Sequence, residues 1–178
     1  AADKIVHFIS ICDNYNIPVL TFTNTPGFLP SYADETNGGI KAAAKLFAAY
    51  SEATVPKLTC VIGEAIGLAG VAMGSCQAGA DMVYAWPCAQ IAVMNSAGAA
   101  NILFSDEIVA SDDPIAKRAE VIERYRDQLA SPFAAAARGF VDDVIEPAVT
   151  RPTLIASLQM IISKATDRTP KKHGNLTF

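Results

Sequence analysis

Apolar positions along this chain recur with two different spacings, and the switches between them mark its elements. Ile5, Phe8, Ile9 and Cys12 repeat at i, i+3, i+4 and i+7, which predicts a helix over residues 3–16 with His7 off its inner face. Ile17-Pro18-Val19-Leu20-Thr21-Phe22-Thr23 then predicts a buried strand. Thr25-Pro26-Gly27-Phe28-Leu29-Pro30 follows as a rigid loop just past a strand's carboxyl end, where α/β folds bind ligands; turn punctuation explains it equally well. Residues 32–37 are polar and read as loop, and Gly38-Gly39 opens a helix over residues 40–53 with Ile40, Ala44 and Phe47 inward. Pro56 closes the connection to a second buried strand at residues 58–62.

Beyond it the periodicity gives way to small residues at positions 65, 67, 69, 70, 72, 74 and 75. This predicts a tight turn at Gly63-Glu64 and a helix packed closely on its neighbours. The amides of such a helix's first turn have no partner inside the helix, and with the helix dipole they suit an oxygen gathering negative charge. Close helix–sheet packing produces the same pattern, with Gly70 and Gly74 as its spacers, so both readings stand. Residues 82–87 and 90–94 predict two short strands, and Asn95-Ser96-Ala97-Gly98-Ala99-Ala100 a second small-residue helix start with outward amides. Ser111-Asp112-Asp113-Pro114 starts a charged helix reaching about Leu129. A short helix follows Ser131-Pro132-Phe133, a strand spans residues 140–145, and Thr150 caps a last helix with Leu154, Ile155, Leu158, Ile161 and Ile162 inward. The tail from Asp167 is polar. Strands alternating with helices give an α/β domain with a layered sheet.

Composition narrows the chemistry. The 178 residues suit one domain with a real core, and a net charge of −4 points away from nucleic acid. Lys171-Lys172-His173 reads as solvated tail. Cys12, Cys60, Cys76 and Cys88 have neither CxxC nor zinc-site spacing, which predicts free, buried thiols in a reducing compartment and no metal site. No signal peptide opens the chain, and the apolar stretch near residues 65–73 is too short to span a bilayer, so a cytoplasmic protein is expected. The start at Ala1 without Met fits a processed chain, an engineered boundary or a piece of a longer protein.

No phosphate loop, dinucleotide fingerprint or GxSxG elbow is present, and the two histidines lie at opposite ends of the chain. Asp142-Asp143 reads as solvated or capping, and Glu64 as a solvated loop acid or a general base. What remains for chemistry is the backbone amide.

Several stretches together then carry a resemblance. They are Phe22-Thr23-Asn24-Thr25-Pro26-Gly27-Phe28-Leu29-Pro30, Gly38-Gly39-Ile40 with Tyr50 through Lys57, Tyr84-Ala85-Trp86-Pro87 with Ile91-Ala92-Val93-Met94, Pro132-Phe133 with Arg138-Gly139-Phe140-Val141-Asp142-Asp143-Val144-Ile145, and Lys172-His173-Gly174-Asn175. In this order the chain resembles the carboxyltransferase subunit of biotin-dependent acyl-CoA carboxylases, the propionyl-CoA carboxylase β type, found also in transcarboxylases and sodium-pumping acyl-CoA decarboxylases.

The resemblance implies a crotonase-like ββα spiral, with residues 1–178 forming a partial C-terminal domain and the CoA-binding N-terminal domain lying outside the chain. It implies that the backbone amides of Leu68 and Ala69 hold the biotin oxyanion, with Gly67, Gly70, Ser96, Ala97 and Gly98 around the biotin. Pro26, Gly27, Phe28 and Val71 would line the acyl pocket. Biotin would arrive as carboxybiotin on a separate carrier, since no Met-Lys attachment site is present, and acyl-CoA would be the substrate. Implied partners are the biotin carboxyl carrier protein, biotin carboxylase, the CoA-binding domain of the same or a neighbouring subunit, and further copies in a hexamer-type assembly. In a eukaryote the location would be the mitochondrial matrix.

The departures fall where the chemistry should be. The family's Arg-Lys-Ala-Tyr-Gly-Gly-Ala reads Gly63-Glu64-Ala65-Ile66-Gly67-Leu68-Ala69 here, Val71 replaces a frequent Asp, and Asn24 replaces the Asp before the Pro-Gly-Phe-Leu-Pro loop. A decarboxylase α-type subunit acting on a dicarboxylic acyl-CoA with membrane partners, or a non-catalytic structural subunit, are the alternatives.

Overall fold

The spine of the molecule is β2 (Lys57–Ile66), a ten-residue strand that serves two sets of neighbours. Along its first half it lies between β1 (Val19–Thr25) and β3 (Met82–Ala85); its last residues pair with β4 (Gln90–Ala92). The fifth strand, β5 (Asp143–Val144), pairs with β3. All these pairings are parallel, so each needs a crossover, and helices supply them. The computed structural model describes residues 1–166; the polar tail from Asp167 and the Lys172-His173-Gly174-Asn175 stretch lie outside them.

On one face of the sheet, α1 (Ala2–Asn14) and α3 (Gly39–Glu52) pack with Val19 and Val55 around Ile9, Leu46 and Tyr50. On the other, α9 (Thr150–Ile161) lays Leu154 over Leu58, Cys60 and Tyr84. Between them in sequence come α2 (Tyr32–Thr36), α4 (Gly67–Ala72), α5 (Ser96–Leu103), α6 (Ser105–Val109), α7 (Pro114–Gln128) and α8 (Pro132–Ala137).

Several expected facings turn out rotated. In α1, Ile9 and Cys12 are buried but Phe8 is 60% exposed, because α3 covers the neighbouring side. The inner face of α3 is Ala43, Leu46 and Tyr50, and Ile40 and Ala44 face outward. Strand β1 alternates rather than being buried throughout: Leu20 and Phe22, next to the covered Leu58 and Cys60 in register, lie beyond the reach of α9 and are exposed. The supposed loop at residues 32–37 contains the single turn α2, capped by the Ser31 hydroxyl, which accepts from Asp34 N–H at 3.0 Å. Only Asp143–Val144 of residues 140–145 forms strand. In α9, Ile155 and Ile162 face out. Thr150 does not cap it; its hydroxyl accepts from Trp86 Nε1 at 2.9 Å. Cys12 and Cys60 are buried, Cys76 is half-buried and Cys88 is exposed, all as free thiols.

Two polar features were not legible beforehand. Lys57 is 3% exposed, and its ammonium donates to the carbonyls of Tyr50 and of Ala53 (2.9 Å), where α3 ends. Glu107 joins α6 to α7: it accepts from Arg124 at 2.7 and 3.1 Å and pairs with Lys117 at 3.1 Å. Hydrogen bonds from Arg124 and then Lys117 hold its carboxyl down at about 2.

Candidate functional site

Gly63-Glu64-Ala65-Ile66 is not the expected turn. It continues β2, because the backbone of Glu64–Ile66 finds new partners in Gln90–Ala92. The turn comes at Gly67, whose φ of +61° is left-handed and whose missing Cβ would sit 3.2 Å from the Val93 carbonyl. From there α4 runs for six residues. It is pressed so closely on the strand that a Cβ on Gly70 would lie 2.5 Å from the Ala65 carbonyl carbon. Tight packing therefore accounts for this glycine. The amide reading also survives: Leu68 and Ala69 occupy the second and third helical positions, whose N–H groups have no acceptor inside the helix.

One flank of α4 walls a cleft of about 650 Å³. Thr23, Thr59, Val61 and Val83 of the sheet form its floor, Gly67, Leu68, Gly70 and Val71 one wall, and Leu129, Arg138 and Phe140 part of the other. Leu68, half exposed, stands at the helix's N-terminal turn, while the Ala69 side chain is buried. Among the described residues, Tyr125 and Arg138 are the titratable side chains that line this space; no carboxylate or imidazole does. Such a cleft can seat an apolar group and present neutral donors to an oxyanion, and it offers no side-chain base.

The structure divides the remaining predicted residues. Val71 lies in the cleft wall, but Pro26, Gly27 and Phe28 do not line the cleft; they form a loop at its end, where Gly27 (φ +124°) passes close to the Ile66 carbonyl. Ser96, Ala97 and Gly98 also lie outside the lining. Their helix start is less open than expected, because the Gly98 N–H already donates to the Asn95 side chain at 2.7 Å. The ends of β1 and β2, which lead into the loop and into α4, are tied through Asn24. Its Oδ1 accepts from Glu64 N–H at 3.0 Å, at the point where the β1–β2 register shifts, and it fills the space a side chain at Gly63 would need, 2.5 Å from the missing Cβ.

Glu64 itself is half-buried in β2 opposite Gln90 and does not line the cleft. The Asp142 carboxylate neither caps a helix nor is left to solvent; it accepts from Val83 N–H of β3 at 2.7 Å. Burial, and secondarily the Asp142 charge, pushes the nearby Cys76 thiol up. Missed altogether were the buried hydroxyls of the sheet: Thr23 and Thr59 beneath the end of α4, and Thr21 paired with Tyr50 of α3. Threonine in an apolar run was the available signal, but it reads as ordinary strand propensity.

The sequence pattern of the carboxyl transferase domain matches residues 1–176. The chain belongs to that family. Among carboxyl transferase relatives, the carboxyltransferase subunit of propionyl-CoA carboxylase from Haloferax mediterranei is 54% identical over 176 residues, which is 99% of this chain and 34% of that protein. The alpha subunit of methylmalonyl-CoA decarboxylase from Veillonella parvula is 50% identical over 176 residues, 99% of this chain and 33% of its own. A crystal structure of transcarboxylase 12S with methylmalonyl-coenzyme A and methylmalonic acid bound, described as a hexamer assembly, superposes with a TM-score of 0.96 at 50% identity. That match covers 100% of this chain and 34% of the other, and the crotonase-like α/β architecture agrees with it. This carboxyl transferase chain spans about a third of the length of the curated relatives it matches.

Proposed function

We propose that the protein carrying this chain moves a carboxyl group between carboxybiotin on a carrier protein and an acyl-CoA. In this reading the chain is the biotin-facing C-terminal domain. The observation that carries it is the pairing of the first-turn amides at Leu68 and Ala69, which have no acceptor inside the helix, with a large apolar cleft lined by no carboxylate or imidazole among the described residues. That combination suits a reaction whose base comes with the ligand.

Carboxybiotin, when bound, supplies both CO2 and a base, the ureido nitrogen that takes the acyl α-proton as the α-carbon bonds to CO2. The residues present fit such a ligand, because the helix start offers neutral donors and Gly67 adds no side chain over them. The chain's own part is then to hold the ureido oxygen with the Leu68 and Ala69 amides and to keep water out with the apolar walls. Gly67 and Gly70 would border the biotin ring and Val71 the acyl group, while Ser96, Ala97 and the Pro26-Gly27-Phe28 loop stand outside the cleft lining. A biotin carboxyl carrier protein, a biotin carboxylase, a CoA-binding domain and other copies of the subunit are the partners this reaction calls for. The hexamer assembly of transcarboxylase 12S supports the last of these.

Since Ala69 is buried, a bulky side chain there would disturb packing, and a backbone edit at Leu68 is the cleaner probe. In the complete polypeptide, replacing leucine 68 by its α-hydroxy acid exchanges the N–H for an ester oxygen. Carboxyl transfer to free biotin is expected to fall about a hundredfold with an unchanged circular dichroism spectrum. An unchanged rate would remove the oxyanion assignment.

A second reading, decarboxylation of a dicarboxylic acyl-CoA with CO2 passed to biotin, is favoured by the 50% identity to the Veillonella decarboxylase subunit. Sodium-dependent turnover in the assembled complex would select it. Carboxyl transfer by the wild-type polypeptide would exclude a purely structural subunit.

A further inference from the structure

Thr21, Thr23 and Thr59 are buried on one face of β1 and β2, and each hydroxyl is engaged. Thr21 and Thr59 are register partners across the two strands. Their hydroxyls nevertheless go to different places. Thr21 pairs with the Tyr50 hydroxyl at 2.9 Å, inside the α3 layer. Thr59 donates to the carbonyl of Gly74, and Thr23 donates to the carbonyl of Met73 at 3.3 Å.

Met73 and Gly74 are the two residues that immediately follow α4. A six-residue helix has few internal hydrogen bonds to hold its axis, and the carbonyls at its end have no helical partner. The Ser75 hydroxyl donates to the Val71 carbonyl at 2.8 Å, and the sheet donates to the next two carbonyls beyond the helix. Gly74 makes the approach feasible: its φ is +75°, and a Cβ on it would lie 2.9 Å from both Thr59 Oγ1 and Tyr50 Cε1. Two contacts hold the helix against the sheet. One is the steric contact of Gly70 on the Ala65 backbone; the other is the hydroxyl clamp beyond its C-terminal end. Between and before these points lie Leu68, Gly70 and Val71, the wall of the cleft.

We propose that Thr59, assisted by Thr23, is a positioning residue that holds the Gly74 carbonyl and so fixes the angle at which α4 presents its Leu68–Val71 wall to the cleft. This rests on the carboxyl-transfer reading above. Without the clamp, α4 pivots on the Gly70–Ala65 contact, and a displacement of about 1 Å at a reacting group can cost about a hundredfold in rate.

The test uses the complete polypeptide with T59V, T59S and T21V. T59V is expected to lower kcat for carboxyl transfer at least tenfold, with KM for acyl-CoA within about twofold of wild type, and T59S is expected to restore most of the loss. T21V deletes a buried hydroxyl that bonds to Tyr50 and not to the carbonyls after α4, so it should lower Tm and leave kcat unchanged. Wild-type kcat in T59V, or equal losses in T59V and T21V, overturns the proposal. A second readout is independent of turnover: hydrogen exchange at the amides of residues 70–73 should accelerate in T59V and not in T21V. A wild-type polypeptide that transfers no carboxyl group defeats the functional reading instead, and unchanged exchange in T59V still defeats the clamp.

Discussion

The ammonium of Lys57 sits where α3 runs out of hydrogen bonds. A helix leaves its last carbonyls unpaired, and buried ones need a donor from elsewhere. Lys57 reaches back from the next strand to the carbonyls of Tyr50 and Ala53, while its own N–H donates to Asp81 at 2.8 Å. One residue thus ties the end of α3 to the start of β2. Hydrogen bonds from a charged donor contribute about 1.5–3 kcal/mol each, offset in part by the cost of burying the charge. K57M keeps the length of the side chain and removes the donor. It is expected to lower unfolding stability by about 2 kcal/mol, read from a shift in the urea midpoint at constant m value. The same side chain seen in sequence, a lysine between Pro56 and an apolar strand, reads as a solvated flank. Nothing local announces that two carbonyls of a preceding helix will lie above it.

At the scale of elements, α6 is too short to be stable alone and depends on its attachment to α7. That attachment is largely the fork of Arg124 on Glu107, with Lys117 beside it and the Arg124 guanidinium 5.0 Å from the centre of the Phe104 ring. Because the folded-state carboxyl of Glu107 titrates near about 2, below the ordinary range of about 4.3, its contribution is fully present above that range. It is lost as pH falls from about 4.5 towards about 2. The cluster is partly exposed, so salt will weaken it. NMR titration of the Glu107 carboxyl carbon should show a midpoint near about 2, and E107Q should remove the corresponding acid-induced loosening of α6. A midpoint in the ordinary carboxylate range would show that the fork does not form in solution.

Over the whole molecule, the alternation of strands and helices, and the proline and serine helix starts at Asp113-Pro114 and Ser131-Pro132, were legible because each is encoded by neighbouring residues. The helix facings were not, since Ile40 and Phe8 satisfy the same spacing as Leu46 and Ile9, and only the position of a packed neighbour decides which arc is covered. The candidate site was half legible. Small residues marked where α4 meets β2, but the extension of β2 to Ile66 depends on β4, and the hydroxyls under α4 depend on how β1 and β2 lie beneath it.

The pairing of Asn24 with Gly63 carries a consequence for how this chain can change over time. Alanine in a strand is favoured over glycine by about 0.5–1 kcal/mol, so G63A alone would ordinarily stabilise. With Asn24 in place it should instead destabilise, because the new Cβ displaces the carboxamide and breaks its bond to Glu64 N–H. With N24A already present, G63A should stabilise. The sign of the effect of G63A thus depends on residue 24, while N24A alone loses the same bond to Glu64 N–H. Unfolding measurements on the four combinations would give a coupling of about 1 kcal/mol, and additive effects would dissolve the pair. What a larger residue at position 63 costs is then set by the side chain at position 24 and by how far it can swing aside.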